Sequence, residues 1–210
     1  GQKVREILWV SIALGLIGFI LYRNLSFFIP FFDIDENIAL ISDGYLKAMS
    51  YGFIANMVFT CLRCYSEGMG LTLPVFWVAF IGMLLNIPLD IIFVYGYFGI
   101  PPMGGIGCGI ATSINIVIGV IVLVLVILKK KEYTPTKIFS SFSPPNSETT
   151  KEALKLGMPI GFGVFVELSM FSGAALILGS LGSTVISGHT VAINIVSVLF
   201  ILPLSFGLAA

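Results

Sequence analysis

Charged side chains fall in clusters along this chain, and the stretches between them are long and apolar. No Asp, Glu, Lys or Arg occurs in Ile7–Tyr22, Ala48–Leu62, Gly68–Leu89, Ile91–Leu128, Met158–Val166 or Leu168–Ala210. A helix needs roughly 20 apolar residues to cross a hydrocarbon core ~30 Å thick. Two of these stretches are long enough for more than one crossing. The pattern predicts six helices: Glu6–Leu21, closed by Arg23, Asn24 and Pro30; Ile38–Met69; Leu73–Tyr97, with Pro74 in its first turn; Gly107–Leu128, closed by Lys129-Lys130-Lys131; Lys151–Leu181; and Ser183 to the end. The fifth begins as a short polar helix and turns apolar after Gly157.

Composition narrows the class. Hydrophobic residues make up 57% and charged residues 10%, and the mean hydropathy is +1.04. Soluble domains carry about 25% charged residues. A soluble globule, a disordered tail and a nucleic-acid-binding module are excluded on this ground. Eleven basic residues balance eleven acidic ones, so no net field recruits polyanions. The fold class is an all-α, polytopic transmembrane helical bundle. The chain opens at Gly1 and stops at Ala210 inside an apolar stretch. These ends read as those of a segment of a longer protein, and nothing at the start has the form of a cleaved signal peptide.

Basic residues sort the loops to two sides of the membrane. One side holds Lys3, Arg5, Arg63, Lys129, Lys130, Lys131, Lys137, Lys151 and Lys155; the other holds Arg23 and Lys47, with Asp33, Asp35, Glu36 and Asp43. The positive-inside rule places the N-terminus and the loops after helices two and four in the cytoplasm. Residues 129–150 read as a cytoplasmic linker, with Pro135, Pro144, Pro145 and the serine-rich run Ser140–Ser147. That composition resists a packed core and suits a flexible connection. It divides residues 1–128, a bundle of four helices, from residues 151–210, with two.

Glu167 is the foremost candidate for chemistry. It lies about nine residues, roughly 14 Å, into the apolar part of helix five. A carboxylate at mid-membrane costs several kcal/mol unless protonated, paired or solvated by a cavity. Such residues line ion or proton paths; a protonated Glu bonding to a neighbouring helix is the bland alternative. Asp90 follows Asn86-Ile87-Pro88-Leu89 late in helix three, where Pro88 frees a backbone carbonyl. An acid near a helix end also reaches interfacial water, so a structural role competes there. His189 is the only histidine, with Asn194 five residues on. Packing or hydrogen bonding competes with a proton relay for it.

Other motifs point to packing. Cys61 and Cys64 form a C-x2-C without the second pair a zinc site needs, so no metal site is assigned. Gly104-Gly105-Ile106-Gly107-Cys108-Gly109 lacks the Lys-Ser/Thr of a phosphate loop. Gly157 and Gly161 around Pro159 have the spacing of close helix approach. Arg63 and Glu67 are spaced i,i+4 for an ion pair. No HExxH, GxSxG or paired-Asp prenyl motif supports an enzyme.

Several of these stretches, in one order, carry a resemblance. They are Leu62-Arg63-Cys64-Tyr65-Ser66-Glu67-Gly68-Met69-Gly70-Leu71-Thr72-Leu73-Pro74, Gly82-Met83-Leu84-Leu85-Asn86-Ile87-Pro88-Leu89-Asp90-Ile91-Ile92-Phe93-Val94-Tyr95-Gly96 and Gly104-Gly105-Ile106-Gly107-Cys108-Gly109-Ile110-Ala111-Thr112. Leu156-Gly157-Met158-Pro159-Ile160, Phe165-Val166-Glu167 and Gly188-His189-Thr190-Val191-Ala192-Ile193-Asn194 follow. Together they resemble the NorM-like branch of the multidrug and toxic compound extrusion (MATE) transporters over nearly the whole chain.

The resemblance implies a twelve-helix, two-lobe antiporter of the bacterial inner membrane, of which this chain spans the third to part of the eighth helix. It implies cationic drugs or dyes as substrates, inward Na+ or H+ as the driving ion, no cofactor, and the remaining helices of the same protein as partners. Glu167 matches the family's seventh-helix coupling acid; the first-helix acid and the tenth-helix acid and Tyr lie outside the chain. Asp90, Asn194 and His189 stand as secondary candidates. Phe162, Phe165 and Phe171 are candidate surfaces for a cationic substrate beside Glu167. A related lipid-linked oligosaccharide flippase competes, although its cavity calls for positive charge. A non-transporting membrane subunit is a further alternative.

Overall fold

The computed structural model describes residues 1–25, 27, 36–136, 138, 146–179 and 182–209. They form α1 (Gln2–Asn24), α2 (Glu36–Gly68), α3 (Thr72–Tyr95), α4 (Gly105–Lys129), a short 3-10 helix (Lys131–Thr136), α5 (Ser147–Gly179) and α6 (Ser183–Ala209). All six predicted helices are present, and no strand occurs among the described residues. Pro30, Asp33, Asp35, Lys137 and most of the serine-rich run, with Pro144 and Pro145, lie outside them.

Local chemistry explains the helix ends. Pro74 sits in the first turn of α3, where its missing N–H is not needed. Gly96 closes that helix at φ 79°, with its N–H donated to the Ile92 carbonyl, a left-handed cap that glycine adopts without Cβ strain. Asn146 caps α5: its Oδ1 accepts from the Glu148 N–H at 3.0 Å. Pro88, Pro159 and Pro203 lie inside α3, α5 and α6 without ending them.

The chain divides into two units, Gly1–Lys151 and Glu152–Ala210. In the first, α1 and α4 pack along α2, and α3 packs along α4. Paired positions give the directions. Gly15 and Gly18 of α1 face Ile54 and Phe53, so α1 and α2 are antiparallel. Gly44 and Gly52 of α2 face Ile106 and Ser113, so α2 and α4 run parallel. Gly107 of α4 lies against the Phe93 backbone and Asn115 opposite Gly82, so α3 and α4 are antiparallel. This arrangement gathers Lys3, Arg5, Arg63 and Lys129–Lys131 at one end of the unit. Arg23 and Lys47 fall at the other, as the loop charges predict. At that other end Arg23 donates to the Tyr51 hydroxyl at 3.0 Å, and Lys47 pairs with Asp43 at 2.7 Å.

Among the described residues, five helices are long and apolar enough to cross a membrane: α1, α3, α4, α5 and α6. The central helix α2 is the exception, although its 33 residues reach about 50 Å at 1.5 Å per residue. Some of its small and hydroxyl-bearing positions turn toward neighbouring helices. Ser50 and Ser66 are wholly buried, and Gly52 meets Ser113. Lipid tails are as apolar as Leu, so helices in a bilayer associate through small residues and interhelical hydrogen bonds.

A cluster of buried apolar residues lies at the lysine-rich end, where Leu62, Val75, Val78, Leu123, Ile127 and Tyr133 pack together. Tyr133 belongs to the 3-10 helix, and Ile138 beyond it is buried too. The start of the segment read as a flexible linker is therefore folded onto the bundle. One aromatic side chain anchors it despite the prolines and lysines around it.

In the second unit α5 and α6 do not pack along each other among the described residues. Among the described residues, Gly157 and Gly161 have no packed neighbour within 4 Å of where a Cβ would stand. The close approach predicted for that pair is not realised within this unit.

Candidate cation-coupling site

Glu167 stands beyond the midpoint of α5, among apolar neighbours that are largely exposed within their unit. Helical geometry decides which of them share its face. At about 100° per residue, Phe171 lies some 40° from Glu167 around the axis, whereas Phe165 lies about 160° and Phe162 about 140° away. Phe171 alone of the three predicted aromatics is beside the acid. Phe162 and Phe165 belong to the opposite side of α5, a correction to their sequence assignment. Gly163, one turn before Glu167, leaves the same face open.

His189 is half-buried on α6 with its Nε2 enclosed and lacking a hydrogen-bond partner among the described residues. Asn194 is exposed, and the five-residue spacing sets it about 140° around α6 from His189. Since α5 and α6 do not pack along each other, Glu167, His189 and Asn194 are not gathered into one site within their unit.

Asp90 belongs to the first unit and has the more developed surroundings. The stripe Pro74, Val78, Gly82, Asn86, Asp90 repeats every four residues along α3 and forms its less exposed face. Across from it α4 offers Cys108, Thr112 and Asn115. The Asp90 carboxyl neighbours the Cys108 thiol, which also meets Thr112. Asp90 Oδ1 is buried and without a hydrogen-bond partner among the described residues, as is Asn115 Oδ1 further along the interface. Gly107 admits the Phe93 backbone against α4 beside this row. Asp90 is marked as a candidate by the sequence and Cys108 reads there as packing, whereas Thr112 and Asn115 stand out only once α3 and α4 are seen as neighbours. Their shared face is visible in the three- and four-residue spacings of 108, 112 and 115.

The remaining predicted features are placed as follows. Arg63 Nε donates to Glu67 Oε1 at 2.7 Å, the ion pair their spacing predicts. Cys61 is half-buried beside Ser11 of α1, and Cys64 is exposed; both are free thiols. Gly107 and Gly109 in the glycine-rich stretch serve close helix packing.

Comparison with known proteins joins these features to a family. The MatE family matches residues 1–92. The multidrug resistance protein NorM of Vibrio cholerae serotype O1 is 40% identical over 184 residues, covering 88% of this chain and 40% of that protein. The probable multidrug resistance protein NorM of Acinetobacter baylyi is 35% identical over 206 residues, covering 98% of this chain and 46% of that protein. Among solved structures, the MATE transporter NorM-NG, in a complex that includes a monobody, superposes with a TM-score of 0.71 at 27% identity. That match covers 100% of this chain and 46% of the solved one. The chain thus spans less than half the length of these relatives. With its all-helical fold and its apolar spans, it belongs to the MATE family, in the NorM-like branch.

Proposed function

We propose that this chain forms part of a multidrug exporter that moves cationic, amphipathic drugs or dyes out of the cell against an inward flow of Na+ or H+. Multidrug resistance proteins among its relatives support export. A single acid deep in an apolar helix supports the coupling, and this is the observation that carries the reading. In a low-dielectric cavity one carboxylate neutralises one cation at a time. Glu167 binds either the coupling ion or the drug, and the competition links the two flows. Rocking of two helical lobes then alternates access to the site. Phe171, one turn on, offers its ring to a bound organic cation.

Asp90 acts in the same reading as a second acid. Its enclosed Oδ1, unpartnered among the described residues, is a ready acceptor for a proton or a ligand for a hard cation, which prefers oxygen. The basic end of the first unit, with Lys129–Lys131, faces the cytoplasm of a bacterial inner membrane. A flippase for pyrophosphate-linked lipids is disfavoured, because the acid in α5 repels such a headgroup.

The test is replacement of Glu167 by Gln in the full-length protein, followed by efflux of a cationic dye from loaded cells. Loss of efflux with normal membrane expression supports the coupling role. Dye efflux equal to that of the parent protein removes it.

A further inference from the structure

Glu6 is an acidic residue near the start of a membrane-spanning helix, in the charged run Lys3-Val4-Arg5-Glu6, yet it is only 3% exposed. A buried carboxylate needs hydrogen-bond donors. Gln2 Nε2 supplies one, at 3.0 Å from Glu6 Oε1. Thr149 supplies another through its side chain. Thr149 is the third residue of α5 and is itself 8% exposed. It thus brings the first turn of α5, the positive end of its dipole, to an anion on α1.

The other described end of the α4–α5 connection is tied down as well. The Tyr133 hydroxyl donates to Ser66 Oγ at 3.1 Å in a buried position. Thr136 Oγ1 gives its proton to the Tyr133 carbonyl at 2.6 Å, so the Tyr65 hydroxyl is the donor in the 2.7 Å bond between Tyr65 and Thr136. The Tyr65 and Tyr133 rings meet at 5.8 Å between centroids. Residues 131–136 are held by α2, and Thr149 is held by α1.

We propose that Glu6 is a positioning residue for transport: with Thr149 it forms a permanent clasp that makes the first turn of α5 a fixture of the first unit. The inference rests on the export function proposed above, because α5 carries Glu167. Lobe motion is then taken up beyond Lys151, where the second unit begins. The clasp stays closed through the whole cycle and transmits a defined starting direction to α5.

A disulfide tests this in the full-length protein, with Cys61, Cys64 and Cys108 replaced by Ser and the pair E6C/T149C introduced. The clasp predicts a disulfide in native membranes whichever way the ion gradient is imposed. It predicts that the reduced pair exports dye about tenfold more slowly than the parent, the size of a lost charge-assisted hydrogen bond, and that oxidation restores the rate. Glu6→Gln, which still accepts from Thr149, keeps a rate within about twofold of the parent, whereas Glu6→Ala lowers the maximal rate without changing the dye concentration for half-maximal export. An oxidised pair that no longer transports overturns the proposal, because the contact must then open during the cycle. Where no disulfide forms, Glu6→Ala decides: dye export at the rate of the parent overturns the proposal. A disulfide that forms while the parent protein itself exports nothing defeats the export function and leaves a clasp without its transport role.

Discussion

Ser113 on α4 donates a hydrogen bond of 2.9 Å to the backbone carbonyl of Ala48 on α2. The contact exists because Gly52, one turn after Ala48, has no side chain: a Cβ there would stand 2.7 Å from Ser113 Oγ and 2.9 Å from its Cα. Two backbones meet through a hydroxyl and a hydrogen atom, as expected of helices that associate in lipid. A leucine at position 52 must push α4 away from α2. Gly52→Leu is expected to cost about 1–3 kcal/mol as an overpacking substitution, while Ser113→Ala costs about 0.6 kcal/mol. Thermal unfolding of the purified full-length protein in detergent measures both, and equal effects would contradict the packing described.

The 3-10 helix is a second quantitative case. Tyr133 is 2% exposed and joins the apolar cluster of α2, α3 and α4. Tyr133→Phe keeps the ring and removes only the bond to Ser66, a loss of about 1 kcal/mol. Tyr133→Ala leaves a cavity and costs about 3–5 kcal/mol. Limited proteolysis reads the difference: Tyr133→Ala is cut between α4 and α5 much faster than the parent, and Tyr133→Phe nearly as slowly. Equal cutting of all three would place Tyr133 outside the core.

Asp90 permits a comparison of charge with shape. Asp90→Asn preserves size and hydrogen bonding but cannot bind a proton or neutralise a cation. If Asp90 is the second coupling acid, the substitution lowers gradient-driven efflux at least several-fold while leaving the protein's melting temperature near that of the parent. A melting temperature that falls while efflux per folded molecule is unchanged assigns Asp90 to structure alone.

The six helices were legible because charge spacing and hydropathy act at the scale of a whole crossing. Features created by distant segments were less legible. Glu6 lies in a charged run that reads as solvated, and its burial depends on the first turn of α5. Tyr133 lies among Lys, Thr and Pro, so composition marks its segment as a linker, whereas its burial depends on the surface that α2 and α4 present to it. The row of Asp90, Cys108, Thr112 and Asn115 required the knowledge that α3 and α4 are neighbours. Phe162 and Phe165 are a different case: the helical period was available in the sequence, and it separates them from Glu167.

The most direct test of the account is ion-driven transport by the full-length protein reconstituted into vesicles loaded with a fluorescent cationic dye. An imposed Na+ or H+ gradient opposed to dye movement should drive export by the parent protein. Glu167→Gln should abolish that response, and Glu167→Asp should retain part of it. Export that ignores both gradients, or a Glu167→Gln protein that responds as the parent does, would contradict cation coupling through this acid.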